Sequence, residues 1–191
     1  KDMGSHGIYI TANDLAVSGA EPLGVMLTLL LPEAVEEPEI RKLMQDAERT
    51  CHQLNMEILG GHTEITNVVR QPLLSVTGVG KIREDQVLDL EDIRPDQDLV
   101  ITKWIGLEAT SILAKEKEEQ LLKQFSPEFV RTAQGFDKYL SVVEDARTAA
   151  RAKVSAMHDV TEGGIFGALW EMAEGAGVGL EVGLKKIPIR Q

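Results

Sequence analysis

Residues 12–20 read Ala-Asn-Asp-Leu-Ala-Val-Ser-Gly-Ala, and Glu21-Pro22 lead from them towards the apolar run Val25–Leu31. Ile8, Ala12, Leu15 and Ala16 recur at helical spacing, so the stretch predicts a helix over 7–19 that Gly19 and Pro22 stop. The run that follows, interrupted only by Thr28, suits a buried strand over 24–31. Asn13-Asp14 is the odd element in this helix, because both residues are mediocre helix formers. Two readings remain open for them. They are an amide and a carboxylate for a divalent cation, a ribose or a phosphate, or they are solvated polar residues on an exposed turn.

Working outward, Pro38 opens an amphipathic helix with Ile40, Leu43, Met44, Ala47, Cys51 and Leu54 on one side. Met56–Leu59 predicts a short strand ending at Gly60-Gly61, and Pro72–Ile82 a longer one broken at Gly78 and Gly80, at a bulge. The charged stretch 83–98, with Pro95, reads as a linker and sets two domains, 1–90 and 91–191. Beyond it the pattern predicts a strand over Leu99–Trp104, a helix from Leu107 and a charged helix over 115–125. A short helix opened by Ser126-Pro127 follows, then a helix over Phe136–Val154, a strong helix over Ile165–Ala176 and a strand over Val178–Val182. A sheet made of these strands alone has open edges that something else should cover.

Composition narrows the function classes. Charged residues are 27% of 191, with 31 Asp+Glu against 20 Lys+Arg, for a net charge of −11. That balance argues against sequence-independent nucleic-acid binding, while leaving room for a phosphate reached through a carboxylate-held cation. No apolar run is long enough for a membrane span, and the first residues lack the zones of a secretory signal. A single cysteine, Cys51, makes no internal disulfide, which points to a reducing, cytoplasmic compartment. Cys51 itself sits on an apolar stripe and is expected in the core, as are Trp104 and Trp170. His52 is expected at the surface and His6 at a ragged end. Lys115–Lys123 reads as a solvated helix face.

Two more polar–glycine clusters accompany Asn13-Asp14. Gly60-Gly61-His62-Thr63-Glu64-Ile65-Thr66 is either a ligand-approaching turn with ligand-capable side chains behind it or a plain strand-ending turn. His158-Asp159-Val160-Thr161-Glu162-Gly163-Gly164 opens the last strong helix, where free N–H groups and the helix dipole favour a phosphate. Thr161 or Asp159 could equally cap that helix. Zinc needs tightly spaced ligands, and the histidines at 6, 52, 62 and 158 are scattered.

Taken in order, the three clusters resemble the AIR synthase-like (PurM-like) superfamily, whose relatives include aminoimidazole ribonucleotide synthetase, hydrogenase maturation dehydratase, selenophosphate synthetase and thiamine-monophosphate kinase. Residues 12–20 with Pro22 are similar to its NDxAxxGAxP helix and strand, Gly60–Glu64 to its GG-x-T turn, and Met157–Gly164 to its D-x-T-x-GG helix opening. The GGHTE form is most similar to AIR synthase-related members. The resemblance implies an α+β, two-domain architecture: an N-terminal α/β domain that dimerises through its sheet and a C-terminal α+β domain beside it. Both are expected to be incomplete here. It also implies ATP and Mg²⁺ bound in the cleft between the domains and across a homodimer, activating a small-molecule substrate by phosphoryl transfer. Carried over residue by residue, the nucleotide would meet Asn13, Asp14, Gly60, Gly61, Thr63, Asp159, Thr161, Gly163 and Gly164. Mg²⁺ would be held by Asp14, Glu64 and Asp159.

The chain departs from the family pattern in three ways. Nothing matches the glycine-rich, aspartate-containing segment and two strands that normally precede the first helix. The second half normally continues past Gln191. His62 stands where several relatives carry an acidic residue, so Glu64 is expected to take that residue's place. The rival readings are a non-catalytic nucleotide-binding or dimerisation module and a metal hydrolase built on His62, His158 and Asp159.

Overall fold

The computed structural model describes residues 3–190. Its first lobe is α1 (Met3–Val17), β1 (Glu21–Leu31), α2 (Glu37–Gln53), β2 (Glu57–Ile65) and β3 (Leu73–Lys81). β1 is the central strand of a three-stranded sheet, with β2 parallel on one side and β3 antiparallel on the other. Strand alternation decides which face is covered. Val25, Leu27, Leu29 and Leu31 are buried, while Met26 and Thr28 are exposed. The two helices pack on the buried side, where α1 lies along β3 and α2 lies against α1. Gly4 makes that helix contact possible, since a Cβ there would stand 2.6 Å from the Leu43 carbonyl oxygen.

The second lobe is helical: α3 (Leu107–Glu116), α4 (Glu118–Leu121), α5 (Pro127–Gln134), α6 (Val143–Arg151) and α7 (Gly164–Ala176). Ser126 caps α5 by accepting from the Phe129 N–H at 3.2 Å, and Pro127 occupies its first turn, as the sequence signal requires. The lobes share one core. Ile8, Ala12 and Ala16 of α1, Val25 and Leu27 of β1 and Ala47 and Cys51 of α2 cluster with Val143 and Ala146 of α6. Small residues on α1 let α6 approach closely, and the buried apolar surface drives the docking.

Several expectations are corrected. Among the described residues the first helix runs from Met3 rather than from residue 7, and His6 is a half-buried part of it. β2 does not stop at Leu59 but runs through both glycines to Ile65. The chain over 136–154 is not one helix: a 3-10 turn at Gly135–Tyr139 and a break at 140–142 precede α6. Leu99–Trp104 and Val178–Val182 form no strand, because they find no ladder partner among the described residues. Ile105 N–H to the Pro188 carbonyl, at 3.1 Å, is an isolated bond between these regions. Trp170 is 64% exposed rather than core, and Trp104 is half-buried, edge-on to Tyr139 with the Arg190 guanidinium 4.5 Å from its ring centroid. Lys115 is not merely solvated, since it pairs with Asp137 at 2.8 Å. Cys51 is buried and His52 exposed, as read from the sequence.

Candidate functional site

The second half of α1 faces the other lobe. Asn13 is buried, and both ends of its amide are engaged across the seam. Its Nδ2 donates to the Leu140 carbonyl at 2.9 Å, and its Oδ1 accepts from the Val142 N–H at 2.8 Å. This explains the break before α6: a side chain 127 residues upstream takes the backbone groups that a continuous helix would pair internally. Asn13 is therefore an interlobe clasp, with one donor and one acceptor of its amide committed to the seam. Lys103 ties down the same break. It takes a left-handed backbone at φ 58°, pairs with Asp145 at 2.9 Å and donates to the Ser141 carbonyl. A lysine in that conformation is strained, and its two partners account for its persistence.

Asp14, one residue on, is exposed at the seam and faces the His158-Asp159 segment. Partial burial raises its pKa first, the Asp159 charge raises it further, and His158 opposes the rise. Asp159 is 8% exposed, and its Oδ2 is buried with no hydrogen-bond partner. His158 is fixed beside it, with Nδ1 at 2.6 Å from the Asp159 carbonyl and Nε2 at 2.9 Å from Glu171 of α7. The two carboxylates come from different lobes and lie within electrostatic reach of each other, one with an orphaned buried oxygen, and both are hard-oxygen donors of the kind a divalent cation such as Mg²⁺ takes.

Next to the pair, α7 begins at Gly163 and Gly164, which both take left-handed backbone, at φ 76° and 60°. Neither Thr161 nor Asp159 caps the helix: its N-cap is Gly163 and no side chain bonds to it. The Gly164 N–H is taken by the Thr161 carbonyl at 3.1 Å, so any free N–H groups of the first turn lie beyond it, at Ile165 and Phe166; Thr161 and Gly164 are exposed, and a Cβ at Gly164 would meet nothing within 4 Å.

The Gly60–Glu64 cluster lies elsewhere. It is not a turn: Val25 pairs with Ile58 and Met26 with Gly60, so Leu59 is the extra residue of a bulge. Gly61 is required by the sheet, since a Cβ there would overlap the Leu27 carbonyl oxygen at 1.8 Å. Gly60 has open space around it and φ 151°, a backbone region that side-chain-bearing residues avoid. His62 and Glu64 pair with each other at 3.3 Å on the uncovered sheet face, and Thr63 lies opposite Leu29. Glu64 is in register with Leu30, whereas Thr11 and Leu15, on either side of Asp14 in α1, pack on Gly78, the register partner of Val25. About five residues of strand, roughly 17 Å, separate the two levels along β1. Among the described residues no three His, Cys, Asp or Glu side chains come together so as to hold a metal. Neither the triad Asp14, Glu64 and Asp159 nor the hydrolase set His62, His158 and Asp159 therefore assembles within one chain.

Sequence reasoning missed Glu171 and Lys103. Glu171 follows His158 by 13 positions on the far side of a glycine turn, and no local pattern announces the pairing. Lys103 carried no signal beyond its place in an apparent strand.

The family model for AIR synthase related protein, C-terminal domain, matches residues 94–191, and the model for its N-terminal domain matches residues 1–82. The chain belongs to the AIR synthase related family. It is similar to a putative hydrogenase expression/formation protein of Methanocaldococcus jannaschii, with 25% identity over 98% of this chain and 54% of that protein. Carbamoyl dehydratase HypE of Rhodobacter capsulatus is 26% identical over 99% and 54%, and thiamine-monophosphate kinase of Bacillus subtilis 25% over 99% and 57%. The chain thus spans about half the length of the curated relatives it matches. Among solved structures, hydrogenase maturation protein HypE in complex with ATP aligns with a TM-score of 0.83 and 18% identity, covering 99% of this chain and 55% of that one. AaThiL complexed with AMPPCP and TMP aligns at 0.82 and 18%, covering 98% and 57%. These likenesses show the fold, an α+β two-domain PurM-like architecture.

Proposed function

We propose that this AIR synthase related chain carries an ATP- and Mg²⁺-binding site at its lobe seam, used by the whole protein to activate a small substrate by phosphoryl transfer. The observation that carries the reading is the buried Oδ2 of Asp159, which lacks a partner and belongs to a carboxylate within electrostatic reach of Asp14. Mg²⁺ there would neutralise the charge of the transferring phosphoryl group. Asp14 and Asp159 are its ligands, while exposed Thr161 and the side-chain-free backbone at Gly163 and Gly164 let phosphate oxygens approach the first turn of α7, the Gly164 N–H itself being held by the Thr161 carbonyl. His158, pinned by Glu171, fixes the Asp159 backbone. The ATP complex of HypE and the AMPPCP complex of AaThiL support a nucleotide on this fold.

Gly60, Thr63 and Glu64 enter this reading only through a second copy. Met26, Leu73 and Val79 are 46%, 48% and 37% exposed on the uncovered sheet face, beside His62 and Glu64. Pairing two copies through that face would cover this apolar surface and bring a homodimer's β2 residues towards the nucleotide. Light scattering should give the mass of two chains; a monomer at high concentration would remove Gly60, Thr63 and Glu64 from the site. The lone buried Cys51 fits a cytoplasmic protein, and no helix among the described residues is long and apolar enough to cross a membrane.

Isothermal titration with ATP and Mg²⁺ tests the binding claim: heat that disappears in Asp14→Asn and Asp159→Asn is the expected result. The second reading is a non-catalytic nucleotide-binding or dimerisation module, favoured by the finding that among the described residues no three His, Cys, Asp or Glu side chains come together to hold a metal. Release of ADP in the presence of phosphate-accepting small molecules separates the enzyme from the module.

A further inference from the structure

We infer that the cavity between α1, α2 and the Gly135–Tyr139 turn is a second binding site, for a small phosphate-bearing anion held by both lobes. The cavity measures about 270 Å³, room for roughly nine waters. Ser5 and Tyr9 of α1, Lys42 and Arg49 of α2, and Asp137 and Lys138 of the turn form its walls, and no aliphatic side chain lines it. A packing fault between two lobes would be apolar and dry, whereas these walls solvate a polar guest.

Charge selects the guest. The protein carries −11 overall, so most of its surface repels anions. Here three cations, Lys42, Arg49 and Lys138, face two carboxylates, and both carboxylates are already satisfied. Buried Asp46 receives Lys42 at 2.6 Å and Arg49 as well, while Asp137 receives Lys115 at 2.8 Å from behind the wall. Lys42 and Arg49 each have more N–H donors than their single bond to Asp46 uses. The donors converge from α1, α2 and the turn, which suits the divergent oxygens of a tetrahedral phosphate better than a planar carboxylate.

The site is separate from the acid pair. Asp14 does not line it, and the Asn13 clasp, one helical turn beyond Tyr9, stands between them. A guest touching Lys138 on one lobe and Arg49 on the other reinforces the clasp and so tightens the seam that positions Asp14 against Asp159.

The test is an NMR titration of the full chain with inorganic phosphate, with sulfate and malonate as parallel arms. Saturable shifts at Ser5, Tyr9 and Lys138 are expected, with sulfate competing and malonate binding more weakly. Lys138→Ala should weaken phosphate binding about tenfold, the loss of one charge-assisted hydrogen bond. Lys138 is exposed, so this variant is expected to fold, and Lys42→Ala is the second variant. Asp14→Asn should leave phosphate binding here unchanged even where it abolishes Mg-ATP binding. Absence of saturable binding, shifts confined to Gly163 and Gly164, malonate binding as tight as phosphate, or unaltered affinity in both lysine variants would each overturn the proposal.

Discussion

Asn13-Asp14 and Gly60–Glu64 look alike in the sequence, short polar groups beside apolar runs, yet the fold treats them oppositely. The first lies at a seam, where Asn13 bonds the backbone at 140–142 and Asp14 feels the charge of Asp159. The second lies on an edge strand, with its glycines answering a bulge and its charged pair facing outward. What a polar cluster does is decided by whether a second element arrives to desolvate it. A lone surface carboxylate is an ordinary solvated group, but two carboxylates meeting across a partly buried seam create a deficit that a cation can fill.

Substitutions can break this contrast, and the largest effect is expected on β2. Gly61→Ala places a Cβ on the Leu27 carbonyl and should detach β2 from β1, seen as lost amide protection over 58–65 and a cooperative loss of stability. If Gly61 were instead a ligand-contact glycine in a loop, the fold would survive and only nucleotide affinity would fall. Asn13→Ala comes next. It strands a buried carbonyl and a buried N–H, costing about 2–4 kcal/mol in denaturant unfolding. A cost near zero would return Asn13 to the list of ligands.

Asp14→Asn should act in the opposite direction. Because the folded pKa of Asp14 is raised, the native chain holds this proton more tightly than the unfolded one does. The contribution of Asp14 to stability is therefore present below its unfolded pKa and is lost as pH rises through the raised folded value. At neutral pH without cation, the amide should raise the melting temperature slightly, and this gain should vanish at acidic pH. Mg²⁺ should stabilise the wild type and leave the variant unmoved. The smallest effect belongs to Glu64→Gln, since an exposed pair with His62 contributes little. Its melting temperature should match the wild type within error, and a large drop would mean that the outer sheet face is covered in solution.

Much of this was legible beforehand because it rests on local periodicity. α2, with Leu43, Met44, Ala47 and Cys51 on one side, and α7 from Gly164 follow from side-chain spacing alone. The central strand followed from its apolar run. What escaped was non-local. Leu99–Trp104 has strand composition, but a strand exists only where another donates to it. The apparent helix over 136–154 is opened by Asn13, more than a hundred residues away. The glycine pair read as a turn because paired glycines favour turns, and only the register with β1 reveals the bulge. In the site, Asp14 and Asp159 were visible as types within motifs, while the roles of His158, Glu171 and Lys103 depend on a docking that no window of sequence contains.

The most direct trial of the central claim replaces Mg²⁺ with paramagnetic Mn²⁺ and follows the backbone amides by NMR. One equivalent should broaden 13–15 and 158–160 together, more strongly with ATP present, and spare 62–64 in monomeric chain. Broadening of one segment without the other, or diffuse broadening over the acidic surface, would contradict a cation shared by Asp14 and Asp159.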